Sequence, residues 1–316
     1  MQRFIISIGL VCSATLATCG GEPFFKSGFE SEVALTKPYG DGSIWRQNFT
    51  GTDHTTGYTW PDDLPRTSRA PIFQFVLGRK ATFTDFVTTR IETVPGRDGK
   101  PTNAFFLQVK NDDPDFTSLT RVEYMYRPPA DHTQCYVRYW MKLQKDYVDV
   151  IGAAERSTWR LFMECKEPKR LPGKQNYDYR WNLHIYKDKQ TGKPYWVINA
   201  ERGNPEHVRH FQITNKDVPV PVDEWFKVEY FWKHHVTDGR FWLKINDILI
   251  GDHRGRLSHP NGHNKTANSH SFMKLYVGRG WFKSGNTAYA WIDDVELRTE
   301  PPAGVAPPVV VEAEAD

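Results

Sequence analysis

Excess charge is the first thing this 316-residue chain lacks. Its formal net charge of +3 is too small to imply a nucleic-acid partner, and neither a Lys/Arg run nor an RNA-binding signature supports one. A modest preference for anionic substrates is all that this balance permits. Beyond the N-terminus no segment is long and apolar enough to span a membrane. No stretch carries the periodicity of a strong amphipathic helix. A nucleophile elbow, a phosphate-cradling glycine loop and a dinucleotide fingerprint are likewise missing, which removes the chemistries that depend on them.

Aromatic and turn-forming residues are plentiful instead: aromatics make up 14% of the chain, beside 23 Gly and 21 Pro. The densest region lies between Asp223 and Thr299, in the runs EWFKVEYFWKHH, GRFWLKINDILI, SFMKLYVGRGW and AYAWIDDVELR. Val228, Tyr230 and Trp232 alternate with Lys227, Glu229 and Lys233, the period of two expected of a strand with one buried face. Phe241, Leu243 and Ile245 alternate in the same way with Arg240, Trp242 and Lys244. The wet face of these strands interleaves aromatics with cations, as a groove for a hydroxyl-rich, acidic chain requires.

Similar runs begin at Ile72, Ala81, Asn103, Leu119, Cys135, Ser157, Tyr179 and Tyr195. With the four above they make roughly a dozen strands, broken by Gly, Pro, Asn and Asp clusters. The pattern predicts an all-β, two-sheet antiparallel sandwich in one domain over residues 20–299. Pro38 to Pro71 and Gly251 to His270 read as loops over a groove, and residues 300–316 as a disordered tail.

The first residues read as a targeting segment. Arg3 supplies the positive start, Phe4 to Val11 the apolar core, and Leu16-Ala17-Thr18-Cys19-Gly20 resembles a bacterial lipobox whose cysteine carries lipid. Thr18 stands where Gly, Ala or Ser is usual, so plain secretory cleavage is the alternative. Both make the protein exported, as a cell-envelope lipoprotein anchored through Cys19 or as a secreted protein. Cys135 and Cys165 then form an even pair in an oxidising compartment, open to two readings: a disulfide between neighbouring strands or two buried thiols.

The strand LTRVEYMYR, then CYVRYWMKL, RWNLHIY, a late KLYVGRGW and a closing WIDDVEL together resemble the concanavalin A-like jelly-roll polysaccharide lyases, the alginate lyase and heparin lyase I group. The resemblance covers about Ala81 to Thr299 and is carried by short motifs. It implies a jelly roll and cleavage of a uronate-containing polysaccharide by β-elimination. The family's Arg-Ser/Thr-Glu element is matched by Arg121-Val122-Glu123, and its Gln-Ile-His element by Asn182-Leu183-His184. Its Lys-Ala-Gly-x-Tyr element is matched by Gly278-Arg279-Gly280-Trp281-Phe282, which has no tyrosine. Asp293 in the closing strand resembles an acidic residue that, with an early carboxylate such as Glu30, helps hold a structural calcium ion; a simple strand-end turn is the alternative.

β-Elimination needs a carboxylate neutraliser, a base for the C5 proton and an acid for the leaving oxygen. Arg180, Asn182, His184 and Tyr186 share one face of their strand while Trp181, Leu183 and Ile185 share the other. His184 suits the base, Asn182 with Arg121 or Arg180 the clamp, and Tyr276 or Tyr186 the acid. Glu123, Arg138, Trp140, Arg180, Tyr186 and Arg279 are the expected substrate contacts, with Arg121, Arg138, Asn182 and His184 on one concave face. For each the plainer alternative is a solvated surface or an i, i+2 ion pair.

His253, His259, His263 and His270 crowd one stretch without a metal-ligand spacing and read as a solvated loop. The carboxylate string Glu-x-Asp-x-x-Glu of laminarinase-type jelly-roll hydrolases is absent. No cofactor is required by these readings, and the expected partner is an acidic polysaccharide met by a monomer. The competing reading is a non-catalytic carbohydrate-binding surface lipoprotein, favoured by the missing tyrosine.

Overall fold

Alternating side chains sort themselves between core and surface on nearly every strand, and two antiparallel sheets packed face to face result. The computed structural model describes residues 21–41, 44–66, 73–77, 86–110, 120–129, 131–150, 161–169, 177–202, 208–258, 269–277 and 286–307. Along the chain run β1 Phe25–Ser27, β2 Ala34–Leu35, β3 Tyr39–Asp41, β4 Ile44–Gln47, β5 Phe49–Asp53, β6 Tyr58–Trp60 and β7 Phe73–Leu77. Then follow β8 Val87–Pro95, β9 Pro101–Lys110, β10 Thr120–Tyr126, β11 Gln134–Leu143, the single-turn helix α1 Tyr147–Val150, β12 Leu161–Lys169 and β13 Tyr177–Lys187. The remainder are β14 Pro194–Arg202, β15 Val208–Asn215, β16 Trp225–Lys233, β17 Gly239–Ile245, β18 Ile248–Gly255, β19 Ser269–Val277 and β20 Thr287–Arg298.

One sheet has eight strands in the order β18-β17-β16-β11-β20-β9-β8, with β1 also paired to β20; the other has nine, β15-β14-β13-β12-β19-β10-β7-β4-β3. The fold is an all-β sandwich of two antiparallel sheets. Its inner faces meet in one continuous core, where Val137, Tyr139, Val228, Tyr230 and Trp232 oppose Tyr124, Trp181, Leu183, Trp196 and Phe272. A third, three-stranded sheet, β2-β5-β6, adds an aromatic cluster of Phe29, Phe49 and Trp60 that packs on Phe105 and Tyr124. Gly51 there has φ +92°, and a Cβ would stand 2.1 Å from the Glu32 carbonyl oxygen, so only glycine lets the two backbones approach.

Several expectations change. Pro38 to Pro71 is not loop throughout: it contributes β3 to β6, short strands that give too little alternation to be read. GRFWLKINDILI is two strands, because Asn246 and Asp247 both have positive φ and turn the chain between β17 and β18, as the most favoured hairpin turns do. Residues 301–307, expected to be disordered, lie against the eight-stranded sheet: Val305 packs on Tyr136, Phe231 and Trp242, while Lys244 and Arg240 donate to the carbonyls of Val305 and Pro307. Trp242, expected on a wet groove face, is therefore fully buried.

Cys135 and Cys165 are buried free thiols. They sit on strands of different sheets, β11 and β12, and burial pushes both pKa values up. The disulfide reading is set aside. Residues 1–20, with Cys19, lie outside the described residues.

Candidate functional site

On β13 the side chains divide as the alternation predicts: Trp181, Leu183 and Ile185 enter the core, and Arg180, Asn182, His184 and Tyr186 take the opposite face. That face is nevertheless not wet. Asn182 is 0% and His184 3% exposed. Register extends the polar set across the sheet: Asn182 is opposite Asn199 on β14 and Glu164 on β12, and Lys274 on β19 is opposite Glu123 on β10. All of these are buried.

A buried charge is tolerated only when paired, and this row is arranged accordingly. The Lys274 ammonium lies 2.5 Å from Glu164 and 3.3 Å from Glu123. Arg180 reaches Glu201 at 2.8 Å and Glu164 at 3.7 Å. Burial alone would raise the Glu164 pKa, but Lys274, Lys166 and Arg180 hold it below the usual carboxylate range.

His184 stands apart from this pairing. Among the described residues neither of its ring nitrogens, nor the amide oxygen of Asn182, has a hydrogen bond of ordinary geometry, though the Asn199 side chain stands close enough to favour the protonated ring; the Asn182 amide nitrogen donates to Asn199 at 3.1 Å. Burial pushes the His184 pKa down to about 4, against the opposing influence of Asn199 and Glu164. The ring is therefore neutral at pH 7. Tyr186 lies beside it with ring centroids 5.2 Å apart, and Tyr195 packs edge-on to Tyr186. Buried polar atoms are nearly always satisfied in folded proteins, so these three atoms on two neighbouring side chains are ones that a polar ligand could satisfy.

Of the residues expected at the site, Asn182, His184, Arg180, Tyr186 and Glu123 come together on this one face. Arg121 and Tyr276 are direct register partners, on β10 and β19, on the same sheet. Their side chains, and the whole of Arg279, lie outside the described residues. Arg138 and Trp140 do not join the set. They sit on β11 in the other sheet, where Arg138 pairs with Glu296 and Trp140 carries the Arg97 guanidinium on its ring. Their local pattern matches that of β13, but membership of a sheet is decided by pairing far along the chain.

The histidine-rich stretch is not one solvated loop. His253 stacks on Phe211, and His270 is buried in the core against the Tyr230 hydroxyl; His259 and His263 lie outside the described residues. Glu30 and Asp293 do approach one another through the Thr102 hydroxyl, 3.0 Å from the former and 3.2 Å from the latter. Asp294, however, pairs with Arg97, and among the described residues no three His, Cys, Asp or Glu are grouped to hold a metal ion. Two carboxylates bridged by a hydroxyl supply part of the six to eight oxygens calcium takes.

Lys274, Glu164 and Asn199 were missed from the sequence. Their signal was a charge or amide set within an otherwise apolar strand, as in SFMKLYV, LFMECK and YWVINA.

No family model matches the chain, and no curated protein matches it in sequence. Solved structures similar to it include the alginate lyase Aly36B in complex with alginate tetrasaccharide, 12% identical with a TM-score of 0.42 over 66% of this chain and 82% of that one. The alginate lyase AlyC3 is 13% identical with a TM-score of 0.37 over 62% and 74% of the two chains. A GH131 β-glucanase catalytic domain from Podospora anserina is 9% identical with a TM-score of 0.36 over 70% and 82%. Identities this low and superpositions this loose say nothing about chemistry.

Proposed function

We propose that this chain is an exported polysaccharide lyase that cleaves a uronate-containing glycan by β-elimination on the outer face of the nine-stranded sheet. The observation that carries the reading is the buried, neutral His184 beside the amide oxygen of Asn182, on the polar face of β13, with no hydrogen bond of ordinary geometry to either group among the described residues. In this reading Asn182 and Arg180, two residues apart on one face of β13, hold the substrate carboxylate, which acidifies the C5 proton; Arg121, three strands away, is too far to share it. His184 takes that proton, the C4–O bond breaks as the C4–C5 double bond forms, and a tyrosine returns a proton to the leaving oxygen. Tyr276 is the preferred donor: β19 lies two strands from β13, about 10 Å at ordinary strand spacing, which leaves room for a sugar ring between base and acid. Tyr186 is the alternative donor, and Arg279, Arg121 and Glu123 are further contacts to substrate. The approach of a uronate anion would raise the His184 pKa and strengthen it as a base.

The test is a panel of acidic polysaccharides with neutral glycans as controls, read by absorbance of the unsaturated uronate product. The parent protein is expected to produce it, and His184→Ala to be slower by about 10²–10⁴-fold; product formation undiminished in that variant would remove His184 as base. Tyr276→Phe and Tyr186→Phe in parallel identify the donor. The lack of a tyrosine in Gly278 to Phe282 favours a second reading, a carbohydrate-binding protein without chemistry. Retained glycan affinity with no unsaturated product from any acidic glycan would decide for it.

The same reading places the protein in the cell envelope through a lipid on Cys19. Cys19→Ala is expected to abolish lipid labelling and to release the protein from membranes, because stable anchoring needs two acyl chains. A variant that fractionates like the parent would overturn the anchor.

A further inference from the structure

The outer face of the eight-stranded sheet carries a second array that the polar row does not use. Five residues stand in one transverse line across five neighbouring strands: Arg90 is opposite Phe106, Phe106 opposite Trp291, Trp291 opposite Lys142, and Lys142 opposite Trp225. At the usual strand spacing this line is about 19 Å long. Tyr289 flanks it, with its ring 5.2 Å from Trp291 and 5.7 Å from Phe106.

Phe106 is buried beneath the Arg90 guanidinium, 3.9 Å from its ring centroid, but the others reach the surface. Trp225, Lys142, Tyr289 and Trp291 are partly exposed, and the Arg90 side chain is 48% exposed. The turn between β8 and β9 forms a wall on this face, since the Pro95 carbonyl accepts from the Trp225 indole. Arg90 and Glu92 continue from the line into a cleft of about 460 Å³ shared with Gln47 and Asn103.

Charge chooses the ligand. Both cations of the array already have a carboxylate, Arg90 in Glu92 and Lys142 in Asp223, and so does the nearby Arg97 of the β8–β9 turn, in Asp294. A balanced set offers an anion no net attraction, so neither a polyuronate nor a nucleic acid is the matching partner. Flat rings interleaved with fixed donors and acceptors instead fit the apolar faces and equatorial hydroxyls of neutral sugars. We propose that this face binds an extended neutral polysaccharide, separately from the site on the nine-stranded sheet and through Trp291, Trp225 and Lys142.

The probe is a soluble mixed-linkage β-glucan in native affinity electrophoresis of the full chain, with polymannuronate as the acidic comparator. The parent is expected to be retarded by the β-glucan. Trp291→Ala and Trp225→Ala should each weaken retardation by roughly threefold to tenfold, with unfolding temperatures that show both variants folded. Uronate-product formation is expected to be unchanged in them. His184→Ala should be retarded by β-glucan like the parent, which separates this face from the proposed lyase site even if no lyase activity is found. Absence of retardation in the parent would overturn the proposal. So would parent-like retardation of both folded tryptophan variants, or loss of retardation in His184→Ala.

Discussion

Single residues here are tuned chiefly by burial, with opposite results for two acid–base groups. His184 is pushed down to about 4, so it is neutral at pH 7 and its proton-accepting form is lost only in acid. If it is the base, the kcat/KM of the free protein falls as pH drops through about 4; an acid limb near the ordinary histidine value of about 6.5 would show that the ring titrates exposed to water.

Asp293 goes the other way, raised to about 7 by burial and then by neighbouring Asp294. Its folded-state pKa exceeds the value of about 3.9 expected when unfolded, so folding favours the protonated acid. The stability it contributes is full below pH 4 or so and is lost as pH rises through about 7. Asp293→Asn, which keeps a neutral side chain, is expected to flatten the decline of stability between pH 4 and 7, measured by denaturant unfolding at a series of pH values. An unchanged slope in the variant would show that Asp293 is not the group responsible.

At the scale of elements, the legible part of the sequence was the part decided locally. The split of β13 into Trp181, Leu183, Ile185 against Arg180, Asn182, His184 follows from a period of two, and the structure keeps it. The alternation of Arg138, Trp140 and Lys142 on β11 is just as regular, yet the strand pairs with β16 and β20 and faces the other side of the sandwich. Nothing local distinguishes the two cases, because neighbours in a sheet are chosen by contacts tens to hundreds of residues away. Burial of the polar face was illegible for the same reason. A lysine such as Lys274 reads as solvent-facing until Glu123 and Glu164 are seen on the adjoining strands. The short strands β3 to β6 escaped because two to five residues carry too little pattern.

Across the whole molecule, the two outer faces of the sandwich differ in how they are finished. The nine-stranded sheet buries a polar row, whereas the eight-stranded sheet covers its own aromatic patch with residues 301–307. Tyr136, Phe231 and Trp242 lie beneath Val305, and Lys244 and Arg240 fix the strap by its carbonyls, the latter at 3.1 Å. A strap of mostly Pro, Ala and Gly loses little side-chain entropy when it docks, so the partial burial of one valine and two charged hydrogen bonds suffice to hold it. Removal of residues 300–316 would expose a fully buried tryptophan and leave two cations without these acceptors. The truncated chain is expected to be less stable by roughly 1–3 kcal/mol in denaturant unfolding, and to bind an apolar dye that the full chain does not. Its uronate-product formation should be unaffected, since the polar row faces away across the thickness of the sandwich. Equal stability of the two chains would mean that the strap rests on the sheet without contributing to the fold, and a loss of product formation would mean that the two faces are coupled.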